Sequence, residues 1–169
     1  VGLRGRTVFD MRLTPELDPD GQVRTVLSVA RDVTERKRAE EALRESEERF
    51  RAVFETARDS MFINDRHLKY VAVNPAMERL FGRPGSELVG HTDEELFGEE
   101  AAAHIREIDT RVLAGEIVEE EDTKPIRPGE PRTFHVIKVP MHDTAGQIVG
   151  LCGIARDITE RKRATEALR

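Results

Sequence analysis

The sequence predicts an α+β fold, in which a five-stranded antiparallel sheet carries helices on one face and has a charged helix at each end. The first observation behind this prediction is the order of the segments: two strand-like segments, several helical ones, and then three strands with short connections. The second is that part of the chain repeats. The third is the composition, because charged residues make up 36% of the chain and aromatic residues 5%, which indicates a modest core and long solvated helices.

The repeat relates Phe9–Arg44 to Phe134–Arg169 without a gap, at a shift of 125 residues and with 18 identities in 36 positions. A spacing of this size indicates similar modules in tandem, because solenoid repeats have much shorter periods. We expect the C-terminal hairpin of a preceding module, a linking helix, one complete module and the start of another helix. These segments are residues 1–33, 34–49, 50–158 and 159–169.

The N-terminal segment has the alternation of a β-strand, with Phe9, Met11 and Leu13 on one face. Residues 18–21 are Asp-Pro-Asp-Gly, a turn sequence, and a returning strand follows at 23–29. The two strands therefore form a predicted β-hairpin. A hairpin alone is marginally stable, so we expect its apolar face to need cover.

A helix is predicted from Thr34 to Phe54, with Asp32 or Thr34 as its N-cap. Its less polar positions recur at alternating spacings of four and three, which is typical of a short coiled coil. This pattern predicts parallel pairing with a second chain and hence a homodimer. An amphipathic helix that lies on its own domain is the alternative that the sequence leaves open. The predicted seam consists of Ala39, Leu43, Ser46, Phe50 and Val53.

The complete module begins with a predicted hairpin at 59–65 and 68–74, followed by a helix from Pro75 to Phe81 that Asn74 can cap. A short helical piece, a capping box and a long helix come next, and three strands close the module. These elements are predicted around 86–89, from Thr92, at Glu99–Ala114, and at 117–124, 132–139 and 148–155.

Three of these stretches, VNPAMERLFGRPGSELVGHTDEELF, KVPMHDTAGQIVG and GIARDITERKRATEALR, resemble the PAS sensory domain. The resemblance covers nearly all of 50–159, and residues 1–34 resemble the last two strands of a preceding PAS domain. It implies a PAS fold and a sensory and dimerisation module that works with adjacent PAS and output domains in a signal-transduction protein, such as a sensor histidine kinase or a diguanylate cyclase. It also implies that a small ligand binds between the long helix and the sheet, and that Asp157, Ile158 and Thr159 relay the change to the following helix.

Lys138 is the most informative candidate in this expected pocket. The repeat aligns it with Leu13, which gives it a core-facing position in its strand. A buried ammonium without a partner is costly, so we expect a carboxylate from Asp109 or Asp93, a ligand, or a side chain that reaches solvent. The pocket-or-core candidates are Met61, Ile63, Val71, Met77, Leu80, Phe81, Leu96, His104, Ile108, Asp109, Phe134, Val136, Lys138, Leu151 and Gly153.

The sequence does not identify a cofactor, and it disfavours haem and flavin. His104 lies on the long helix, where some haem-binding PAS domains carry the axial histidine, but no basic pattern for the propionates accompanies it. Cys152 lies in the last strand rather than in the helical motif of flavin-binding relatives, and we expect it to face away from the pocket as a small buried residue. The remaining rival is a ligandless spacer and dimer scaffold, whose pocket would be filled by Phe81, Phe97, Phe134 and leucine side chains.

Several classes of function are excluded. A net charge of −6 argues against a nucleic-acid groove. A single cysteine excludes an internal disulfide and a multi-cysteine metal site, and no phosphate loop, zinc-spaced histidine pair or nucleophile elbow is present. We therefore expect no catalytic residues and no metal site. We also expect no membrane contact, because no apolar run reaches the ~20 residues that a membrane helix needs. A cytoplasmic location is the default expectation.

Overall fold

The computed structural model of the chain describes residues 6–127 and 130–168. The chain forms two compact units that divide between Arg51 and Ala52. The predicted segments 1–33 and 159–169 extend outside the described residues at positions 1–5 and 169.

The N-terminal unit contains a two-stranded antiparallel hairpin, β1 (Phe9–Leu17) and β2 (Val23–Asp32). The predicted turn closes it, because the N–H of Gly21 donates to the carbonyl of Asp18 over 3.0 Å. Gly21 has φ 78°, a conformation that favours glycine. Both strands are exposed along their whole length, and Phe9, on the predicted apolar face, is 56% exposed.

The hairpin leads into a long helix, α1 (Thr34–Thr56). The carboxylate of Asp32 accepts a hydrogen bond from Thr34 N over 2.9 Å, so it satisfies one of the free N–H groups at the start of the helix. The predicted seam positions lie on the exposed surface of α1, with Leu43 at 62% and Val53 at 66% exposure.

The second unit is built on a five-stranded antiparallel sheet with the strand order β4-β3-β7-β6-β5. The first and last strands of the module therefore pair at the centre of the sheet. The predicted α+β fold and its five-stranded antiparallel sheet are confirmed. The strands are β3 (Ser60–Asp65), β4 (Tyr70–Val73), β5 (Val118–Arg127), β6 (Glu130–His142) and β7 (Ile148–Asp157).

Helices fill the connection from β4 to β5, and one more follows β7. Asn74 caps the first of them as predicted, because its Oδ1 accepts from Met77 N over 3.1 Å. Thr92 and Glu95 form the predicted capping box, in which each side chain accepts from the backbone N–H of the other residue. The helices are α2 (Pro75–Phe81), α3 (Gly85–Leu88), α4 (Asp93–Phe97), α5 (Glu99–Leu113) and α6 (Thr159–Ala167).

The core of this unit lies where α5 packs on the sheet. Ile108 and Val112 of α5 are buried in one cluster with Phe62 of β3 and Leu151 of β7. Gly153 of β7 leaves room for the Phe62 ring, since a Cβ added there would come within 2.1 Å of it. The glycine thus lets the ring lie directly against the sheet, where it forms part of the site described next.

Candidate functional site

A cavity of about 710 Å³, partly open to solvent, lies in the second unit between the helices and the sheet. Pockets that bind small organic molecules have volumes of this order. Its walls are largely apolar and come from α2, α4, the start of α5 and the inner face of the sheet. The predicted pocket residues that line it are Met77, Leu80, Phe81, Phe134, Val136 and Lys138.

Another group of predicted residues lies in the core next to the cavity rather than in its wall. The helix α5 presents Ala101 and Ile105 to the cavity, so its more C-terminal residues pack against the sheet. Leu151 of β7 belongs to the same core cluster. The residues that take core positions are Leu96, Ile108, Asp109, Leu151 and Gly153, and they are not among the lining residues.

Strand β3 corrects the sequence-based assignment of its faces. Ser60 and Phe62 are buried and line the cavity, whereas Met61 and Ile63 lie on the opposite face. Val71, on the neighbouring strand, is 54% exposed. Alternation gave no guide here, because apolar residues occupy successive positions of β3 and a small polar residue, Ser60, points inward.

His104 also lies away from the cavity. Its side chain is 58% exposed, and its Nε2 is 3.3 Å from a carboxylate oxygen of Glu120 on β5. His104 is not among the residues of α5 that line the cavity. This position does not suit an axial ligand to a group held in the cavity, so the haem hypothesis loses its candidate residue.

Lys138 of β6 places a positive charge in the cavity wall. Its Nζ forms an ion pair with Asp109 of α5, and the two side chains are 7% and 1% exposed. The expectation that a core-facing lysine would find a carboxylate is therefore confirmed. Burial raises the pKa of Asp109, and the lysine charge opposes that rise. The ammonium also lies 5.5 Å from the ring centroid of Phe62.

A second polar group of the wall is the carboxylate of Asp93, the first residue of α4. It is buried, and its Oδ1 accepts a hydrogen bond from the hydroxyl of Tyr70 over 2.7 Å. Burial, followed by the charge of Asp93, raises the pKa of Tyr70 well above its ordinary range, so the hydroxyl keeps its proton and remains a donor. The sequence offers Asp93 as a partner for Lys138, but in the structure its partner is Tyr70.

Several lining residues were not among the predicted ones. Asp93 is predicted only as a possible partner of Lys138, and Tyr70 carried a signal that could have found it, because the chain's one tyrosine lies beside the predicted pocket helices. The remainder come from β3, β5 and β7, from the end of α4 with the glycine after it, and from the first half of α5. They are Ser60, Phe62, Phe97, Gly98, Glu99, Glu100, Ala101, Ile105, Lys124, Ile126 and Ala155.

Strand β6 connects the cavity with the last helix. Phe134 lines the cavity, and the preceding residue, Thr133, holds the start of α6 through its backbone. Thr133 N donates to Thr159 Oγ1 over 2.9 Å, and Ile158 N donates to Thr133 O over 2.8 Å. Asp157 accepts from Thr159 N over 2.9 Å. Burial acts to raise the pKa of Asp157, but the hydrogen bonds with Thr159 and the charge and hydrogen bond of Arg132 together outweigh it, so the pKa is lowered.

The same hydrogen bonds occur between the hairpin and helix of the N-terminal unit. Val8 N donates to Thr34 Oγ1 over 2.9 Å, and Val33 N donates to Val8 O over 2.9 Å. Asp32 accepts from Thr34 N, as Asp157 does from its threonine. Each partner stands 125 positions before its counterpart, the shift of the sequence repeat.

The remaining candidates carry no chemistry of their own. Cys152 is half-buried on β7, and burial raises the pKa of its thiol, which disfavours a reactive thiolate. Within residues 6–127 and 130–168, no three histidine, cysteine or acidic side chains are grouped so that they could hold a metal ion. No helix in the same residues has the length and apolar character needed to cross a membrane.

Comparison with known proteins supports the sequence resemblance. A family model described as PAS fold matches residues 54–163. The methanogenesis regulatory histidine kinase FilI of Methanothrix harundinacea is 50% identical over 119 residues, 70% of this chain and 13% of FilI. The aerobic respiration control sensor protein ArcB of Escherichia coli is 33% identical over 119 residues, 70% of this chain and 15% of ArcB.

Solved structures give the same result. The PAS domain of Bordetella pertussis BvgS superposes with a TM-score of 0.60 at 25% identity, over 73% of this chain and 94% of that domain. A PAS domain from Colwellia psychrerythraea superposes with a TM-score of 0.58 at 22% identity, over 68% of this chain and 98% of that domain. The chain thus spans nearly the whole of single PAS domains, but only 13% and 15% of the curated kinase and sensor relatives named above.

Proposed function

Because the chain belongs to the PAS-fold family, we propose that it senses a small ligand in the cavity and relays binding through Asp157, Ile158 and Thr159 into α6. Its PAS domain is homologous to those of the regulatory histidine kinase FilI and of the sensor proteins ArcB and BvgS. In our proposal the parent protein is a sensor histidine kinase, and adjacent PAS and output domains receive the signal.

The observation that carries this proposal is the continuity of β6 from the cavity to the helix junction. Phe134 and Val136 form part of the wall. Thr133, the residue before Phe134, provides the backbone groups that hold the start of α6. A ligand that binds one arrangement of wall and helix more tightly than another shifts their populations. A shift of the wall at Phe134 would therefore change how α6 begins.

The open volume of the cavity separates this proposal from the ligandless spacer. The spacer hypothesis requires the pocket to be filled by Phe81, Phe97 and Phe134. These rings stand in the wall of a cavity of about 710 Å³ instead of occluding it. The cavity therefore favours ligand sensing, and dimerisation through α1 remains compatible with it.

Native mass spectrometry of the freshly purified chain tests ligand binding. We expect a small-molecule adduct that Val136→Phe loses, because the added ring fills the cavity. Ile137→Phe is the matched control, since Ile137 lies next in the strand and is not a lining residue. Ligand sensing is contradicted if the chain carries no adduct and if no compound in a fragment library raises its midpoint of thermal unfolding.

Hydrogen exchange of the same sample, with and without its adduct, tests the relay. Occupancy should change the exchange of the first turn of α6, and Thr159→Val should abolish that response while the adduct is kept. The valine cannot accept the hydrogen bond from Thr133 N, which leaves a donor without its partner. Thr165→Val is the control, because the Thr165 hydroxyl bonds only within its own helix, to Arg161 O.

A further inference from the structure

We infer that the cavity takes an uncharged, ring-shaped small molecule that carries both a hydrogen-bond donor and a hydrogen-bond acceptor, as a carboxamide or a lactam does. This inference rests on the proposed function, because it names the class of ligand for the same cavity. Its basis is the pair of charged side chains in the wall and the aromatic rings around them.

The two buried charged groups of the wall have complementary needs. The ammonium of Lys138 has three N–H donors and no acceptor, and Asp109 takes one of the donors. The carboxylate of Asp93 accepts only, and among the described residues its side-chain donor is Tyr70. A ligand that meets both groups therefore needs an acceptor for Lys138 and a donor for Asp93.

The balance of charge disfavours an anion. Asp109 already neutralises Lys138, so the lysine cannot balance a second negative charge. Asp93 adds one negative charge to the wall, and Glu99 and Glu100 add two more at the start of α5, against one positive charge from Lys124. A carboxylate ligand would meet the buried Asp93 carboxylate in a partly dry site, where repulsion is stronger than in water, whereas the exposed Glu99 and Glu100 act through solvent. A purely cationic head group has only hydrogen-bond donors, so it would offer no acceptor to the ammonium of Lys138.

The apolar wall favours a flat body for the ligand. The rings of Phe81 and Phe97 stack with centroids 4.9 Å apart at 28° and line one side of the cavity. Phe62 and Phe134 line the side of the sheet. Aromatic side chains pack best against other rings in offset or edge-on arrangements, so an unsaturated ring suits this space better than a branched aliphatic chain.

Three probes on one ring test the inference: benzamide, benzoate and benzamidine, each titrated into the ¹⁵N-labelled chain while amide shifts are followed. The amide both donates and accepts, the acid only accepts, and the amidinium only donates. We expect shifts at the cavity residues Ala101, Ile105 and Val136, and an affinity for benzamide about 5-fold higher than for either other probe, the difference that one hydrogen bond provides.

Asp93→Asn should change the ranking of the probes in a stated direction. The asparagine can still accept from Tyr70, which protects the fold, but it removes the negative charge and can itself donate. Benzoate should therefore gain about 3-fold or more relative to benzamide. Glu94→Gln is the matched control, because it removes the same charge from the next residue of α4, which is exposed, pairs with Arg106 and does not line the cavity.

The outcomes separate the ligand class from the proposed function. Tighter binding of benzoate or benzamidine than of benzamide, or a ranking that Asp93→Asn leaves unchanged, overturns the inference while the cavity remains a ligand site. Cavity amides that respond to none of the three probes, in a chain that carries a native adduct, also overturn it. The absence of both an adduct and any probe response overturns the inference and ligand sensing together.

Discussion

At the scale of single residues, Lys138 illustrates how a charge can be kept inside a small domain. Its strand position is apolar in the first copy of the repeat, where Leu13 stands, and the comparison of copies was enough to predict that Lys138 faces inward. Which carboxylate would meet it could not be read from the sequence, because that depends on the packing of α5 against the sheet. Asp109 is the partner, and neither side chain is more than 7% exposed.

We predict that Lys138→Met lowers the free energy of unfolding by about 3–5 kcal/mol, since it leaves the Asp109 carboxylate buried without its counter-charge. The double variant Lys138→Met/Asp109→Leu should regain most of this loss, because apolar side chains of similar volume replace the ion pair. Urea denaturation followed by circular dichroism measures both. A double variant as unstable as the single one would mean that the pair contributes through packing rather than through charge.

The faces of β3 mark the limit of the sequence-based prediction. The repeat covers most of β6, so its inward residues could be assigned by comparing copies, and Phe134 and Val136 do line the cavity. No second copy of β3 exists in this chain. Apolar residues lie on both faces of β3, so the alternation of apolar and polar residues could not show which face points inward.

At the scale of elements, β5 joins three parts of the domain through a run of three glutamates. Glu119 lies 2.7 Å from His135 of β6, and Glu120 lies 3.3 Å from His104 of α5. Glu121 accepts from Lys162 of α6 over 2.5 Å. The partners of the run come from segments that are distant in sequence. In the structure the run ties the strand edge to the first turns of the last helix.

We predict that Glu121→Gln speeds amide hydrogen exchange at the start of α6, by less than about fivefold, because an exposed ion pair contributes little. The hydrogen bond from Lys162 lowers the pKa of Glu121, so the stabilisation by this pair is full above the pKa of a free glutamate and is lost as the pH falls through the lowered pKa. Glu119→Gln is the control, since the partner of Glu119 lies within the sheet. Equal effects of the two substitutions would contradict a specific tether.

At the scale of the whole molecule, the predicted coiled-coil seam of α1 is exposed, with its residues at alternating spacings of four and three along the helix. Leu43, Phe50 and Val53 are 62%, 55% and 66% exposed, although they are the apolar residues of an otherwise charged helix. Apolar seams of this period bury themselves against a second helix. We propose that two copies of the chain pair in parallel along α1.

We predict that the chain sediments as a dimer and that Leu43→Asp shifts it to the mass of a monomer, because a buried carboxylate in the seam has no counter-charge. Ala42→Asp serves as the matched control, since it adds the same charge one position away from the seam and should leave the dimer intact. A wild-type monomer, or a dimer that tolerates Leu43→Asp, would refute pairing through this seam.

The order of elements followed from the sequence because each boundary has a local cause, such as the Asn74 cap, the Thr92–Glu95 capping box and the Asp18–Gly21 turn. The cavity did not follow in the same way. Its wall is assembled from helices and from strands that lie far apart in sequence, and its shape depends on contacts such as Phe62 on Gly153. Local sequence signals predict the helices, strands and turns, whereas the shape of the cavity depends on how these elements pack in the folded chain.

The matching hydrogen bonds at Thr34 and Thr159 make this chain divisible at a natural splice point. Thr34 and Thr159 are each the first residue of a helix, and excision of 34–158 would join Val33 directly to Thr159. The hairpin would still offer Val8 to the threonine that follows it. A chain joined at this place would keep the repeated bonding pattern, which makes the junction a suitable point for fusing such segments in protein engineering.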